Sequence, residues 1–170
     1  MSVQTWFLMI ELPLASALLI LVAKRKRADR DQWTSYWYVL ALGFAILSVD
    51  KIAGFHELLN SKISMSWVIP AGIVVAIFIA VYIRFLFYLP LRTRSLFINS
   101  GAEFVGGALG VERAIYGHAD QKPLNTLAYN LWTAVEEGME MCGVRLFIYA
   151  LLGSMGGARG FRIEFDFAVK

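Results

Sequence analysis

The stretch NLWTAVEEGMEMCGVRLF, residues 130–147, decides which class of fold this chain adopts. It is flanked by apolar sequence and resembles a membrane-spanning helix, yet it carries Glu136, Glu137 and Glu140. A carboxylate at the centre of a bilayer costs about 2.5–3.5 kcal/mol, whereas each Leu or Ile returns only about 0.3–0.6 kcal/mol. We therefore expect these three acids to be paired, protonated or in contact with water.

The composition of the whole chain favours a membrane protein. Of the 170 residues, 58% are apolar and only 17% are charged, and the mean hydropathy is +0.59. A soluble domain carries roughly 25% charged residues. The net charge of +3 lies in loops between apolar segments, which argues against a nucleic-acid-binding face. The single cysteine, Cys142, excludes an intrachain disulfide and a cysteine-based metal cage.

Together, the apolar segments predict an all-α integral membrane helical bundle of about five transmembrane helices in one domain, residues 1–153. The expected spans are residues 5–23, 33–54, 66–89, 95–117 and 126–152. The fourth is the weakest, and four spans remain if it is only interfacial. Trp33, Tyr36, Trp37 and Tyr38 at the start of the second span are typical of an interfacial aromatic belt.

The remaining residues, 154–170, form a predicted cytoplasmic tail. Its sequence RIEFDFAVK alternates apolar and charged residues, which is typical of a strand. A lone strand is not stable, so this strand would need a partner edge. A disordered tail is an equal alternative.

The basic residues predict the orientation of the bundle. They concentrate in the first loop (residues 24–30), in the third loop (Arg92 and Arg94) and in the tail. With five spans, all three regions lie on one side of the membrane. The positive-inside rule then predicts a multi-pass protein of the cytoplasmic (inner) membrane, with its N-terminus outside and its C-terminus in the cytoplasm.

Acidic residues of three segments fall in the outer half of this predicted bundle. Asp50 and Glu57 lie seven residues apart on one face of the second segment, with His56 beside them. Carboxylates and imidazole are metal ligands, and carboxylate-rich helical bundles hold paired metal ions. The sequence therefore predicts a site for one or two metal ions. The candidate ligands are Asp50, His56, Glu57, Glu103, Glu112, Glu136, Glu137 and Glu140.

The chemistry of that site stays open at the level of sequence. Iron, zinc, manganese and copper are not distinguished, and neither a redox nor a catalytic role is decided. No Glu-x-x-His motif is present, so the pattern departs from that of di-iron bundles. Gly106 and Gly110 form a small-xxx-small pair, which predicts a close helix approach that carries Glu103 into the interface.

Three segments resemble a group of uncharacterised bacterial multi-pass membrane proteins. They are VDKIAGFHELL (49–59), SGAEFVGGALGVE (100–112) and VEEGMEMCG (135–143). The resemblance covers about residues 40–153. It implies a membrane class and a set of acidic positions, and it brings no established activity.

Two further functions stay open beside metal binding. The chain is alternatively a non-catalytic accessory subunit of a larger membrane protein complex, in which the acids pair with bases of a partner. It is also a candidate cation or proton transporter, with Glu103 and Glu140 relaying charge. The inner half offers few polar groups to continue such a relay. The expected partners are the lipid bilayer and either other membrane subunits or further copies of the chain, without nucleic acid.

Overall fold

The computed structural model describes residues 3–53, 68–111 and 127–156, and these residues are helical apart from short turns. The helices are α1 (Val3–Ala28), α2 (Thr34–Ala53), α3 (Val68–Tyr88), α4 (Leu91–Val105) and α5 (Leu127–Gly156). A π-helical segment, Gly106–Val111, continues α4. The predicted all-α fold is therefore confirmed for this part of the chain.

Four of the described helices are long and apolar enough to cross a membrane. These are α1, α2, α3 and α5, over Gln4–Ala28, Thr34–Ala53, Ile69–Tyr88 and Asn130–Met155. The helix α4 is not among them, and it corresponds to the fourth and weakest of the predicted spans. The strand predicted in the tail lies outside the described residues.

The turn between α1 and α2 is organised by Asp31. Its carboxylate accepts hydrogen bonds from the Trp33 N–H at 2.9 Å, the Lys26 ammonium at 2.9 Å and the Tyr88 hydroxyl at 2.9 Å. Partial burial opposes ionisation of Asp31, but the three hydrogen bonds and the charge of Lys26 together hold its pKa below the ordinary value of 3.8. This turn therefore joins α1 and α2 to the end of α3.

The core of the bundle begins with one face of α1. Leu8, Leu12, Ala15 and Leu19 are fully buried, at the alternating spacing of four and three residues that places them on one helical stripe. The helix α1 packs against both α2 and α5, and α4 packs against α5. The helix α5 therefore joins the α1–α2 pair to α4.

Aromatic rings join the remaining helices. Trp37 of α2 meets Phe85 of α3 with ring centroids 5.0 Å apart, and Phe97 of α4 at 6.1 Å. Phe97 in turn meets Phe147 of α5 at 4.6 Å. Trp37 is only 2% exposed, so this ring belongs to the core and not to the predicted interfacial belt. Its position on α2 points it inward, toward the neighbouring helices.

Glycines allow α4 and α5 to approach closely. A Cβ atom at Gly143 would lie 2.8 Å from the backbone N of Phe104 and 2.8 Å from the carbonyl O of Ser100. A Cβ atom at Gly107 would lie 2.9 Å from the carbonyl O of Glu136. The closest approach therefore uses Gly107 and Gly143, and a Cβ atom at Gly106 would also lie close to α5, 3.2 Å from Cε of Met139.

Candidate cation-binding cavity

Charges of opposite sign occupy opposite ends of the described bundle. The Arg25 guanidinium donates to the carbonyl O of Met155 at 3.3 Å, so the end of α1 meets the end of α5. The Thr5 hydroxyl donates to Glu137 Oε1 at 2.8 Å, so the start of α1 meets the first half of α5. We call the first region, with residues 24–30, Arg92 and Arg94, the basic end, and the half around Thr5 and Glu137 the acidic half.

A buried ion pair lies in the acidic half. Lys51 Nζ of α2 is 2.6 Å from Glu140 Oε2 of α5, and the two side chains are 19% and 5% exposed. Little water screens this pair, and loss of either member would leave a charge in an apolar interior. Sequence analysis proposed Glu140 as a ligand and left Lys51 out of the site. The signal that points to Lys51 is a cation directly next to Asp50 in the sequence.

The ion pair borders a cavity of about 120 Å³ to which all five helices and the π-helical segment contribute. A water-sized group needs about 10–15 Å³, so the cavity holds roughly ten of them. Its described lining residues are Leu12, Leu47, Asp50, Lys51, Ala71, Val75, Phe104, Val105, Ala108, Leu109, Glu136 and Glu140. Three of the eight predicted ligands therefore line one cavity.

The other predicted ligands are distributed differently. Glu137 bonds to Thr5 and does not line the cavity. Glu103 is exposed on α4 and is also absent from the lining. It precedes Phe104, which faces the cavity, and adjacent helical residues point about 100° apart. His56, Glu57 and Glu112 lie outside the described residues.

A second ion pair joins α1 to α5 through the same half. Arg145 Nε donates to Glu11 Oε1 at 2.7 Å, with side chains that are 49% and 13% exposed. The Arg145 guanidinium also lies 5.5 Å from the centroid of the Phe7 ring. The sequence spacing made a Glu140–Arg145 pair unfavourable, and in the structure each of these residues meets a different helix.

The three carboxylates of the cavity do not form a metal-ligand cluster. Among residues 3–53, 68–111 and 127–156, no group of three or more His, Cys, Asp or Glu side chains is close enough to hold a metal ion. A cation in this cavity would therefore reach at least one of Asp50, Glu136 and Glu140 through water. The volume of the cavity accommodates such water.

Comparison with known families gives one match that covers most of the chain. The profile of a family described as a domain of unknown function, DUF8692, matches residues 2–155. The chain belongs to the DUF8692 family. The matched range covers all five helices of this DUF8692 member except the last residue of α5, Gly156. Neither the curated proteins nor the solved structures contain a match to the chain.

Proposed function

We propose that the chain is an integral membrane protein whose acidic cavity binds a divalent metal ion. The observation that supports this proposal is the convergence of Asp50, Glu136 and Glu140 on one cavity beside Lys51. With all three carboxylates ionised, the four side chains carry three negative charges and one positive charge, which leaves −2. A divalent cation would neutralise a charge of this size.

The ligand chemistry ranks the candidate metals. The described ligands are carboxylates, and carboxylate and water oxygens suit manganese among the four candidates. Iron, zinc or copper becomes preferable if the imidazole of His56 joins the site. The ammonium of Lys51 offsets part of the acidic charge, so that the site takes one divalent ion more readily than two.

The orientation that we propose puts this cavity near the outer surface of the inner membrane. Glu140 precedes the end of α5 at Gly156 by sixteen residues, which is about 24 Å at about 1.5 Å per residue. The hydrocarbon core is about 30 Å thick. With the basic end at the cytoplasmic surface, the cavity lies inside the bilayer close to its outer rim, where an ion enters from outside.

Metal content of the purified full-length protein tests the proposal. Elemental analysis of protein taken from membranes, followed by equilibrium dialysis of the metal-free protein against Mn²⁺, measures the number of ions bound per chain. We expect about one ion in the wild type and a loss of binding in Glu136→Gln and Asp50→Asn. The matched control is Glu103→Gln, which removes an exposed acid outside the cavity.

The metal-binding measurement distinguishes two outcomes. Retention of the ion by Glu103→Gln and its loss from both cavity variants supports the proposal. No bound metal in the wild type, or equal loss in the control, overturns it. Thermal unfolding of each variant in detergent verifies that lost binding does not come from lost folding.

A second candidate function, that of a subunit in a larger membrane assembly, is favoured by the outer face of α4. Ser95, Asn99 and Glu103 follow one another at intervals of four residues and are all exposed. They therefore form a polar stripe on one helical face. Polar groups inside a bilayer normally face protein or a water-filled space, so this stripe favours a covering partner.

Native mass spectrometry of the protein extracted in mild detergent tests this second candidate. We expect a complex larger than the single chain, which dissociates when Asn99→Leu and Glu103→Leu make the stripe apolar. The matched control is Ile98→Leu, an exposed apolar position beside the stripe. A monomer in the wild type contradicts the candidate.

A further inference from the structure

A narrow cleft opens between the start of α4 and the end of α5, away from the acidic cavity. It has a volume of about 50 Å³ and is lined by Arg92, Thr93, Leu96, Tyr149, Ala150 and Gly153. At about 10–15 Å³ for each water-sized group, the cleft takes about four such groups. A phosphate group with its four oxygens is of this size.

The polar chemistry of the cleft suits an anion. Arg92 Nη2 donates to the Tyr149 hydroxyl at 3.1 Å, and both residues line the cleft. The remaining N–H groups of Arg92 and the hydroxyl of Thr93 are donors for a ligand. No carboxylate is among the described residues that line the cleft. Guanidinium groups bind phosphate through charge-assisted hydrogen bonds.

The cleft lies at the basic end of the bundle. The Arg25–Met155 contact brings the charged end of α1 to the end of α5, two residues beyond Gly153. Exposed apolar side chains lie nearby along the helices: Leu91 is 72% exposed and Leu152 is 52% exposed. A ligand with an anionic head and apolar tails therefore meets donors in the cleft and apolar surface beside it.

We propose that this cleft binds the phosphate of an anionic phospholipid from the surrounding bilayer. Basic residues at the membrane surface attract anionic lipids, and the cleft gives that general attraction a specific position. The inference rests on the membrane integration proposed above and not on metal binding in the cavity. Leu91 and Leu152 would contact the acyl chains, while Arg92 and Thr93 would hold the headgroup phosphate.

Lipid retention by the full-length protein tests this site. The protein is reconstituted in nanodiscs that contain phosphatidylglycerol and phosphatidylcholine, released into detergent, and examined by native mass spectrometry for bound lipid. We expect the wild type to retain one phosphatidylglycerol in preference to phosphatidylcholine. Arg92→Gln should lower this retention by about tenfold or more, because it removes a charged hydrogen-bond donor.

Two further variants separate the cleft from general electrostatics and from misfolding. Arg84→Gln removes an exposed cation from α3 that does not line the cleft, and it should retain the lipid. Gly153→Leu keeps Arg92 but fills the cleft, and it should lose the lipid. A Cβ atom at Gly153 meets nothing within 4 Å, and Leu is a better helix former than Gly.

Each contrary result overturns a different claim. Equal loss in Arg84→Gln and Arg92→Gln would mean that only general surface charge attracts the lipid. Displacement of the lipid by millimolar inorganic phosphate would identify the cleft as a site for free phosphate instead. A chain that stays in the aqueous phase without detergent would refute membrane integration itself, independently of the cleft.

Discussion

Single residues carry the interactions that hold the acidic half together, and the Lys51–Glu140 pair is the most deeply buried of them. The two atoms are 2.6 Å apart, and the Glu140 side chain is only 5% exposed. Removal of one partner from a buried pair costs about 3–5 kcal/mol, since the other charge stays in the interior. Removal of both charges avoids that penalty.

We therefore predict that Lys51→Met lowers the free energy of unfolding by about 3 kcal/mol, and that the double variant Lys51→Met/Glu140→Gln recovers about half of the loss. Chemical unfolding in detergent of the wild type, both single variants and the double variant measures the coupling between the two residues. Strictly additive effects would contradict a direct ion pair.

Asp31 predicts a pH dependence at the opposite end. Its pKa is held below 3.8 in the folded chain by hydrogen bonds from Trp33, Lys26 and Tyr88, against the effect of its burial. The unfolded chain therefore takes up the proton first as the pH falls. The stabilisation is present above about pH 4 and is lost as the pH falls through the lowered pKa.

The expected result is that Asp31→Asn lowers the unfolding temperature at pH 7, and that the difference from the wild type shrinks below pH 3.8. Thermal unfolding in detergent between about pH 7 and pH 2 measures it. Asp29→Asn, at an exposed position in the same turn, is the control and should change the unfolding temperature little. A difference that is constant across the whole range would refute the role given to Asp31.

The sequence predicts some neighbours of the acidic residues but not their ion-pair partners. Helical spacing correctly identified Glu136 and Glu140 as neighbours, because both belong to one helix and their separation follows from its period. The partners of the acids come from other helices: Arg145 pairs with Glu11, 134 positions away in sequence. Such pairings depend on helix packing, which no local pattern encodes.

At the level of the helices, the runs of apolar residues in the sequence predicted the approximate helix boundaries. The second and third spans, expected over 33–54 and 66–89, are the helices Thr34–Ala53 and Val68–Tyr88. The first helix continues past residue 23 to Ala28. Lys and Arg are good helix formers, and cations are favourable at a helix C-terminus, so the polar stretch did not end it.

The contact between α4 and α5 depends on glycine at selected positions. A Cβ atom at Gly143 would meet backbone atoms of Phe104 and Ser100 at 2.8 Å, whereas one at Gly138 would meet nothing within 4 Å. Both glycines belong to α5. The same substitution at the two positions therefore separates helix propensity from interhelical packing.

We predict that Gly143→Ala destabilises the protein by about 1–3 kcal/mol, because the two helices must move apart. Gly138→Ala should stabilise it by about 0.5–1 kcal/mol, since alanine is the better helix former and the site has room. Unfolding by denaturant in detergent compares the two. A stabilising Gly143→Ala would show that the close approach of α4 and α5 is not required.

At the scale of the whole molecule, the separation of charge predicts how the bundle sits in the membrane. The basic end contains residues 24–30, Arg92 and Arg94. The acidic half contains the start of α1, around Thr5. From the positive-inside rule we predict that the start of α1 lies outside the cell and that its end lies in the cytoplasm.

Cysteine labelling in intact cells checks this orientation. In a Cys142→Ser background, which removes the one native cysteine, Gln4→Cys and Arg27→Cys report the two ends of α1. A membrane-impermeant maleimide should label Gln4→Cys directly and Arg27→Cys only after permeabilisation. The two positions are far enough apart along α1 to lie on opposite sides of a hydrocarbon core of about 30 Å. Labelling of Arg27→Cys in intact cells would show that the bundle has the opposite orientation, with the cavity toward the cytoplasm.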